Sequence, residues 1–114
     1  MRIALDAMGG DHAPASEVEG AALAVREYGV EIILIGDETL VREEMRRQGV
    51  QGLSGLSVHH ASQRVEMHEQ PSQVARRKRD SSIWVGTELV KKGDAVGIVS
   101  AGNTGATVVT AFFL

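Results

Sequence analysis

No cysteine occurs among the 114 residues. That absence excludes a disulfide framework, a thiolate nucleophile and a cysteine-based metal site, and it fits a reducing compartment. Aromatic residues make up only 4% of the chain, so its core has to rest on Val, Ile, Leu and Ala. No apolar stretch approaches the roughly 20 residues of a membrane-spanning helix. At the N-terminus only Ile3-Ala4-Leu5 separates Arg2 from Asp6, which is too short for the apolar core of a secretion signal. These absences predict a cytoplasmic protein. Three catalytic signatures are also missing. There is no G-x-x-x-x-G-K-[ST] nucleotide loop, no G-x-G-x-x-G dinucleotide turn and no G-x-S-x-G nucleophile elbow. A net charge of −3 argues against a general nucleic-acid binder.

What is present is ordinary in bulk and distinctive in detail. Hydrophobic residues at 43% and charged residues at 24% suit one soluble domain with a modest core. Two glycine-rich turns each follow an apolar run. The first, Asp6-Ala7-Met8-Gly9-Gly10-Asp11-His12-Ala13-Pro14, follows Ile3-Ala4-Leu5. The second, Ser100-Ala101-Gly102-Asn103-Thr104-Gly105-Ala106, follows Val96-Gly97-Ile98-Val99. A strand, a glycine turn and a helix in that order leave backbone N–H groups at a helix N-terminus, where anions bind. Glycine at such turns permits positive φ and close approach of a ligand. The bland alternative is a pair of tight turns. The interleaved Asp, His, Ser, Asn and Thr favour a phosphate or similar oxyanion site.

The rest of the chain alternates in period. Arg2 to Leu5 reads as a buried strand. Ser16 and Glu19 form an S-x-x-E capping box ahead of the stripe Val18, Ala21, Ala22 and Val25, with Gly29 as the stop. Glu31 to Ile35 reads as a strand covered on both faces. Asp37 is the expected N-cap of a second helix with Leu40, Val41 and Met45 facing inward, closed by Gly49. Leu56 to His60 reads as a strand, and Pro71-Ser72 can open a short helix. Val85, Gly86, Leu89 and Val90 mark a helix ended by Gly93, and Asp94 to Val99 the next strand. This alternation predicts an α/β fold with parallel strands and helices on both faces. The run Val108 to Leu114 is apolar and carries no cap. The expectation is that residues 1–114 form the N-terminal part of a longer, single α/β catalytic domain.

Ligands in open α/β sheets bind beyond the carboxyl ends of the strands, where both glycine loops lie. A third constellation, Arg76-Arg77-Lys78-Arg79-Asp80-Ser81-Ser82, sets cations beside hydroxyls at a predicted helix start. A bare basic run is commonly just a solvated face, but the switch to Asp-Ser-Ser-Ile points to a helix terminus. His59 and His60 fall on opposite faces of a strand and cannot share a metal, and His68 reads as surface. His12, inside the first loop, is the histidine placed to act as acid, base or oxyanion donor. No metal site and no cofactor is expected.

These three segments, in this order and spacing, resemble the phosphate acyltransferase family of bacterial phospholipid synthesis, and the resemblance runs over the whole chain. Trp84 and Thr107-Val108-Val109 are small departures from the family's pattern. The resemblance implies a three-layer α/β/α sandwich with a mainly parallel sheet, like isocitrate and isopropylmalate dehydrogenases. It also implies a homodimer with peripheral membrane contact through residues outside this chain. The implied reaction moves a fatty acyl group from acyl carrier protein to inorganic phosphate, giving acyl phosphate.

Without Cys or an elbow Ser, the simplest route is direct attack of bound phosphate on the thioester carbonyl, the protein positioning it and stabilising the oxyanion. The expected catalytic residues are His12, Lys78 and Asn103. Gly9, Gly10, Asp11, Arg79, Ser81, Ser82, Ser100, Gly102 and Thr104 are expected to bind phosphate or substrate. Asp6 and Asp11 would repel a bare phosphate, so they are expected to orient His12 or a basic residue. Two other readings stay open: a phosphate acetyltransferase-like enzyme using acyl-CoA, and an inactive fragment that only folds and associates.

Overall fold

The computed structural model describes residues 1–62 and 81–100. Their backbone begins with strand β1 (Arg2–Asp6), helix α1 (Ala15–Tyr28), strand β2 (Glu31–Gly36) and helix α2 (Glu38–Arg47). Strand β3 (Leu56–His60), helix α3 (Ser82–Lys91) and strand β4 (Gly97–Val99) follow. The four strands form one sheet in the order β3-β2-β1-β4, and every pairing is parallel. Arg2 pairs with Glu31, Ile32 with Leu56, and Ile3 with Gly97, which sets the register across the sheet.

Side-chain alternation on β2 divides the core. Ile32 and Leu34 face a cluster with Val18, Ala21, Ala22 and Val25 of α1 and Val41 and Met45 of α2. Ile33 and Ile35 face the other way, into a cluster with Ala4, Ala61, Leu89 and Ala95, against which Val85 and Ile98 pack. Helices α1 and α2 therefore cover one face of the sheet and α3 the other, the α/β arrangement expected from the alternating periods. The strand order explains this division. The steps β1 to β2 and β2 to β3 move in one direction, and right-handed crossovers put both their helices on one face. The chain then returns past β1 to β4, so α3 falls on the opposite face.

Several local expectations hold, and several give way to tertiary contacts. Gly29 caps α1, and the Asp37 side chain accepts from the Leu40 N–H at 3.2 Å, as an N-cap does. The Ser16–Glu19 capping box does not form. Helix α1 begins at Ala15 behind Pro14 with no side-chain cap, so Ser16 already lies inside the helix. Leu40 does not face inward and is 47% exposed. The buried stripe of α2 is Val41, Glu44 and Met45. Glu44 tolerates burial because Arg47 and Gln48 donate to its two oxygens at 3.0 and 2.9 Å. Gln48 also donates to the Ala15 carbonyl at 3.0 Å and ties α2 to α1.

The fourth strand is shorter than the sequence suggests, covering Gly97–Val99 rather than Asp94 to Val99. The N–H groups of Asp94 and Ala95 bond to the Leu89 carbonyl at 2.8 and 3.2 Å, closing the end of α3. Only at Val96, whose N–H meets the Arg2 carbonyl at 2.8 Å, does the chain join the sheet. The helix suggested at Pro71-Ser72 lies outside the described residues.

Helix α3 sits close to the sheet because Gly86 has no side chain. A Cβ there would lie 2.4 Å from Cδ1 of Ile98 and 3.1 Å from Cδ1 of Ile35. One turn earlier on the same face of α3 stands Ser82, so this close approach also sets the depth of the helix N-terminus.

Candidate functional site

Parallel strands bring all their carboxyl ends to one edge, here at Asp6, Gly36, His60 and Val99. The strand order reverses between β1 and β4, and such a switch point leaves a crevice where ligands of α/β sheets bind. Asp6 closes β1 and Ser100 follows β4, so both stand beside it. Ser82 opens α3, which arrives from the opposite face.

Asp6 organises this point. Its side chain is buried, with only 1% of the residue exposed, and its carboxylate has three partners among the described residues. Oδ1 accepts from the Met8 N–H at 3.0 Å and from the Ser82 hydroxyl. Oδ2 accepts from the Ser100 hydroxyl at 2.8 Å. One carboxylate thus joins the end of β1, the first residue of α3 and the residue after β4. The positive N-terminal end of α3 favours a negative charge here. Ser81, also fully buried, accepts from the Trp84 N–H at 3.2 Å and caps α3. The Trp84 indole in turn donates to Glu88 at 2.6 Å.

None of Asp6's hydrogen bonds among the described residues goes to His12, and they align two serines instead; the basic residues 76–79, the other expected partners of Asp6, lie outside the described residues. Asp11 and His12 are exposed on the first loop. That loop also differs from expectation in its glycines. The positive-φ glycines among the described residues are Gly29, Gly49, Gly55 and Gly93, not Gly9 or Gly10. The first loop is held instead by carboxylates from within the chain. Besides the Met8 bond to Asp6, the Gly10 N–H donates to Oε2 of Glu17 at 3.0 Å. Glu17 is buried on the first turn of α1, and its Oε1 has no hydrogen-bond partner among the described residues. An acidic side chain therefore already meets the amide that sequence reasoning offered to an external anion.

Glu17 was missed because the S-x-x-E pattern drew the reading to Ser16 and Glu19. Its signal was present: a glutamate in the first helical turn is well placed to take up loop amides. His60 was missed too. Its Nδ1 accepts from the Glu38 N–H at 3.1 Å and helps satisfy the start of α2. Lys78, Arg79, Gly102, Asn103 and Thr104 lie outside the described residues. The structure brings Ser82 and Ser100 together on Asp6, and puts Ser81 beside them as the cap of α3.

An apolar groove of about 480 Å³, lined by Leu5, Ala21, Ala24, Tyr28, Ile32 and Val99, runs beside α1. Leu5 packs against the α1 cluster whereas Ala4 joins the α3 side, so this groove lies on the face of the sheet away from the Asp6 carboxylate. No helix among the described residues is long and apolar enough to cross a membrane.

Comparison with known proteins agrees with the sequence pattern. The family described as "Fatty acid synthesis protein" matches residues 1–114. A protein of Geobacter sulfurreducens named phosphate acyltransferase is 54% identical over all 114 residues. Proteins of the same name from Trichlorobacter lovleyi and Geobacter sp. strain M21 are 52% and 53% identical over the same length. The chain spans about a third of the length of these relatives, 33%, 33% and 32% respectively.

Proposed function

The chain belongs to the fatty acid synthesis protein family, and on that premise we propose that it contributes to transfer of a fatty acyl group from acyl carrier protein to inorganic phosphate. The relatives' shared name, phosphate acyltransferase, supports the reaction type. The observation that carries the reading is the convergence of Ser82 and Ser100 on buried Asp6 at the switch point of the sheet. That crevice, with the N-terminus of α3 at its side, suits an oxyanion.

In the proposed reaction a phosphate oxygen attacks the thioester carbonyl carbon. The new C–O bond forms, the tetrahedral intermediate collapses, and the C–S bond breaks. The departing thiolate takes up a proton, leaving acyl phosphate and free carrier protein. No protein nucleophile is needed in this route. The protein's part is to hold phosphate near the carbonyl and to stabilise the oxyanion. Asp6 keeps Ser82 and Ser100 in place. His12 on the first loop, with Lys78 and Asn103, are the proposed groups for proton movement and oxyanion donation. Arg79, Gly102 and Thr104 complete the proposed phosphate contacts with Gly9, whereas the Gly10 amide is taken by Glu17 and Ser81 serves as the cap of α3. A dehydrogenase-like three-layer sandwich, a homodimer and a cytoplasmic enzyme with peripheral membrane contact belong to the same proposal.

The test is acyl transfer by the whole protein to phosphate, with acyl carrier protein and coenzyme A thioesters compared as donors. Acyl phosphate formed preferentially from the carrier-protein thioester is the expected result. Equal or better use of a short acyl-CoA would identify a phosphate acetyltransferase-like enzyme instead.

A further inference from the structure

The groove beside α1 and the Asp6 crevice lie on opposite faces of the sheet, yet they open on the same edge. Leu5 and Val99, paired across β1 and β4, floor the groove at that edge, and each is followed directly by a crevice residue, Asp6 and Ser100. Ser16 and Glu17, at the start of α1, stand there too and supply polar lining at this end. Away from the edge the lining turns apolar, through Ala21, Ala24 and Ile32 to Val30 and the Tyr28 ring at the end of α1. The groove therefore has a polar mouth beside the crevice and a hydrocarbon interior leading away from it.

Its dimensions suit one kind of occupant. From Ser16 to Tyr28 the groove follows α1 for about 18 Å, at the helical rise of about 1.5 Å per residue. One fatty acyl chain spans half of a bilayer's hydrocarbon core, about 15 Å. A volume of about 480 Å³ over the length of the groove is a mean cross-section of about 27 Å². A hydrocarbon chain, with carbon contacts at about 4 Å, needs about 20 Å². A second helix, about 10 Å across, would need about 80 Å². We propose that this groove holds the acyl chain of the thioester donor and that its depth sets the longest chain it favours. The inference deepens the proposed function and rests on it, because the acyl group of that reaction is the ligand. Binding covers Val99 and Tyr28, which otherwise stand 54% and 77% exposed.

Leucines set along α1 test this as stops at different depths. A Cβ at Gly20 meets no atom within 4 Å among the described residues, so Gly20→Leu fills open groove rather than displacing a neighbour. Gly20 lies about 6 Å and Ala24 about 12 Å from Ser16 along the helix. On the same scale a dodecanoyl chain reaches about 11 Å and a hexanoyl chain about 6 Å. A methylene fully withdrawn from water is worth about fourfold in binding, and about twofold in a groove open on one side. A leucine that displaces three or more methylenes should therefore cost about tenfold or more. In the whole protein, Ala24→Leu should lower kcat/KM by that factor for hexadecanoyl carrier protein and spare the dodecanoyl and hexanoyl donors. Gly20→Leu should lower it for both longer donors and spare hexanoyl. Arg26→Leu, on the exposed side of α1, should alter none of the three.

Equal losses at every chain length overturn the inference, and a lowered melting temperature with them would mark this face as the seat of another part of the polypeptide. An unchanged length preference in both variants overturns it too, because the chain then runs elsewhere. Equilibrium dialysis of the same preparations against labelled hexadecanoate and dodecanoate, below micellar concentrations, reads the groove without catalysis. Binding whose length limit follows the position of the leucine, without acyl transfer, overturns the acyltransferase reading and leaves the groove assigned. Acyl transfer without that dependence overturns the groove alone, whereas neither transfer nor such binding overturns both.

Discussion

Gly86→Ala sets two effects of similar size against each other. Replacing glycine by alanine inside a helix stabilises it by about 1 kcal/mol, since less backbone entropy is lost on folding. At this position the new Cβ would stand 2.4 Å from Cδ1 of Ile98, where ordinary contact begins at 3.4 Å. About 1 Å has to be recovered, and overpacking of this kind costs about 1–3 kcal/mol. The Ile98 side chain is half-buried and its tip can turn aside. Ile35 cannot yield as easily, because it is fully buried in β2, and its Cδ1 would be 3.1 Å from the new carbon. The net change expected is a loss of about 0–2 kcal/mol, so the fold survives.

Activity should suffer more than stability. Ser82 lies one turn from Gly86 on the same face of α3, so lifting the helix draws Ser82 away from Asp6. A misplacement of about 1 Å can cost on the order of 100-fold in rate. Urea melts and phosphate-dependent acyl transfer on the whole protein measure the two losses separately. Adding Ile98→Val deletes Cδ1, leaves only contacts that must give by tenths of an ångström, and should restore most of the activity. The double mutant then exceeds the sum of the single effects, as expected of residues in contact. If Gly86→Ala is fully active and more stable by about 1 kcal/mol, helix propensity has won and α3 does not set the position of Ser82.

Three further outcomes are expected. Ser81→Ala removes the cap of α3 and should cost about 1 kcal/mol in a denaturant melt, with Ser81→Asp recovering part of it. Arg77→Ala with Arg79→Ala should raise the KM for carrier protein or phosphate while the fold is kept, and the difference from the unaltered enzyme should shrink as salt is added. Unchanged constants would make this run a solvated face. Asn103→Asp should keep the melting temperature within a few degrees while kcat falls about 100- to 1,000-fold, because a carboxylate cannot donate to an oxyanion. Near-normal turnover would remove Asn103 from the catalytic set.

Much of the fold was legible because it is written in short-range spacing. The stripe Val18, Ala21, Ala22 and Val25, the β-branched run Ile32 to Ile35 and the Asp37 cap each depend on residues within a turn or a strand of one another. Period and cap chemistry therefore predict them without reference to the rest of the chain. The alternation of these elements also fixes parallel strands with helices on both faces. Where a neighbour from elsewhere competes, local reading fails. Glu44 outcompetes Leu40 for the inner face of α2 because Arg47 and Gln48 satisfy its charge, and Gln48 in addition bonds α1. The Ser16–Glu19 box fails because the helix starts earlier and Glu17 takes the Gly10 amide.

The candidate site divides along the same line. Sequence alone singled out Asp6, Ser82 and Ser100 as residues of the right chemistry at the ends of elements, and it set the helix start at Ser81-Ser82 against the Ser100 loop, but not that Asp6 joins the two. Ser82 lies 76 positions from Asp6, and Ser100 lies 94 positions away. Their meeting depends on the return of the chain past β1 to β4 and on the depth of α3 over Gly86. Chain topology and packing decide both, and neither leaves a local period to read. The role of Asp6 changes with that meeting. A carboxylate expected to orient a histidine or a basic residue accepts two serine protons, because burial leaves those hydroxyls, with the Met8 amide, as its hydrogen-bond partners among the described residues.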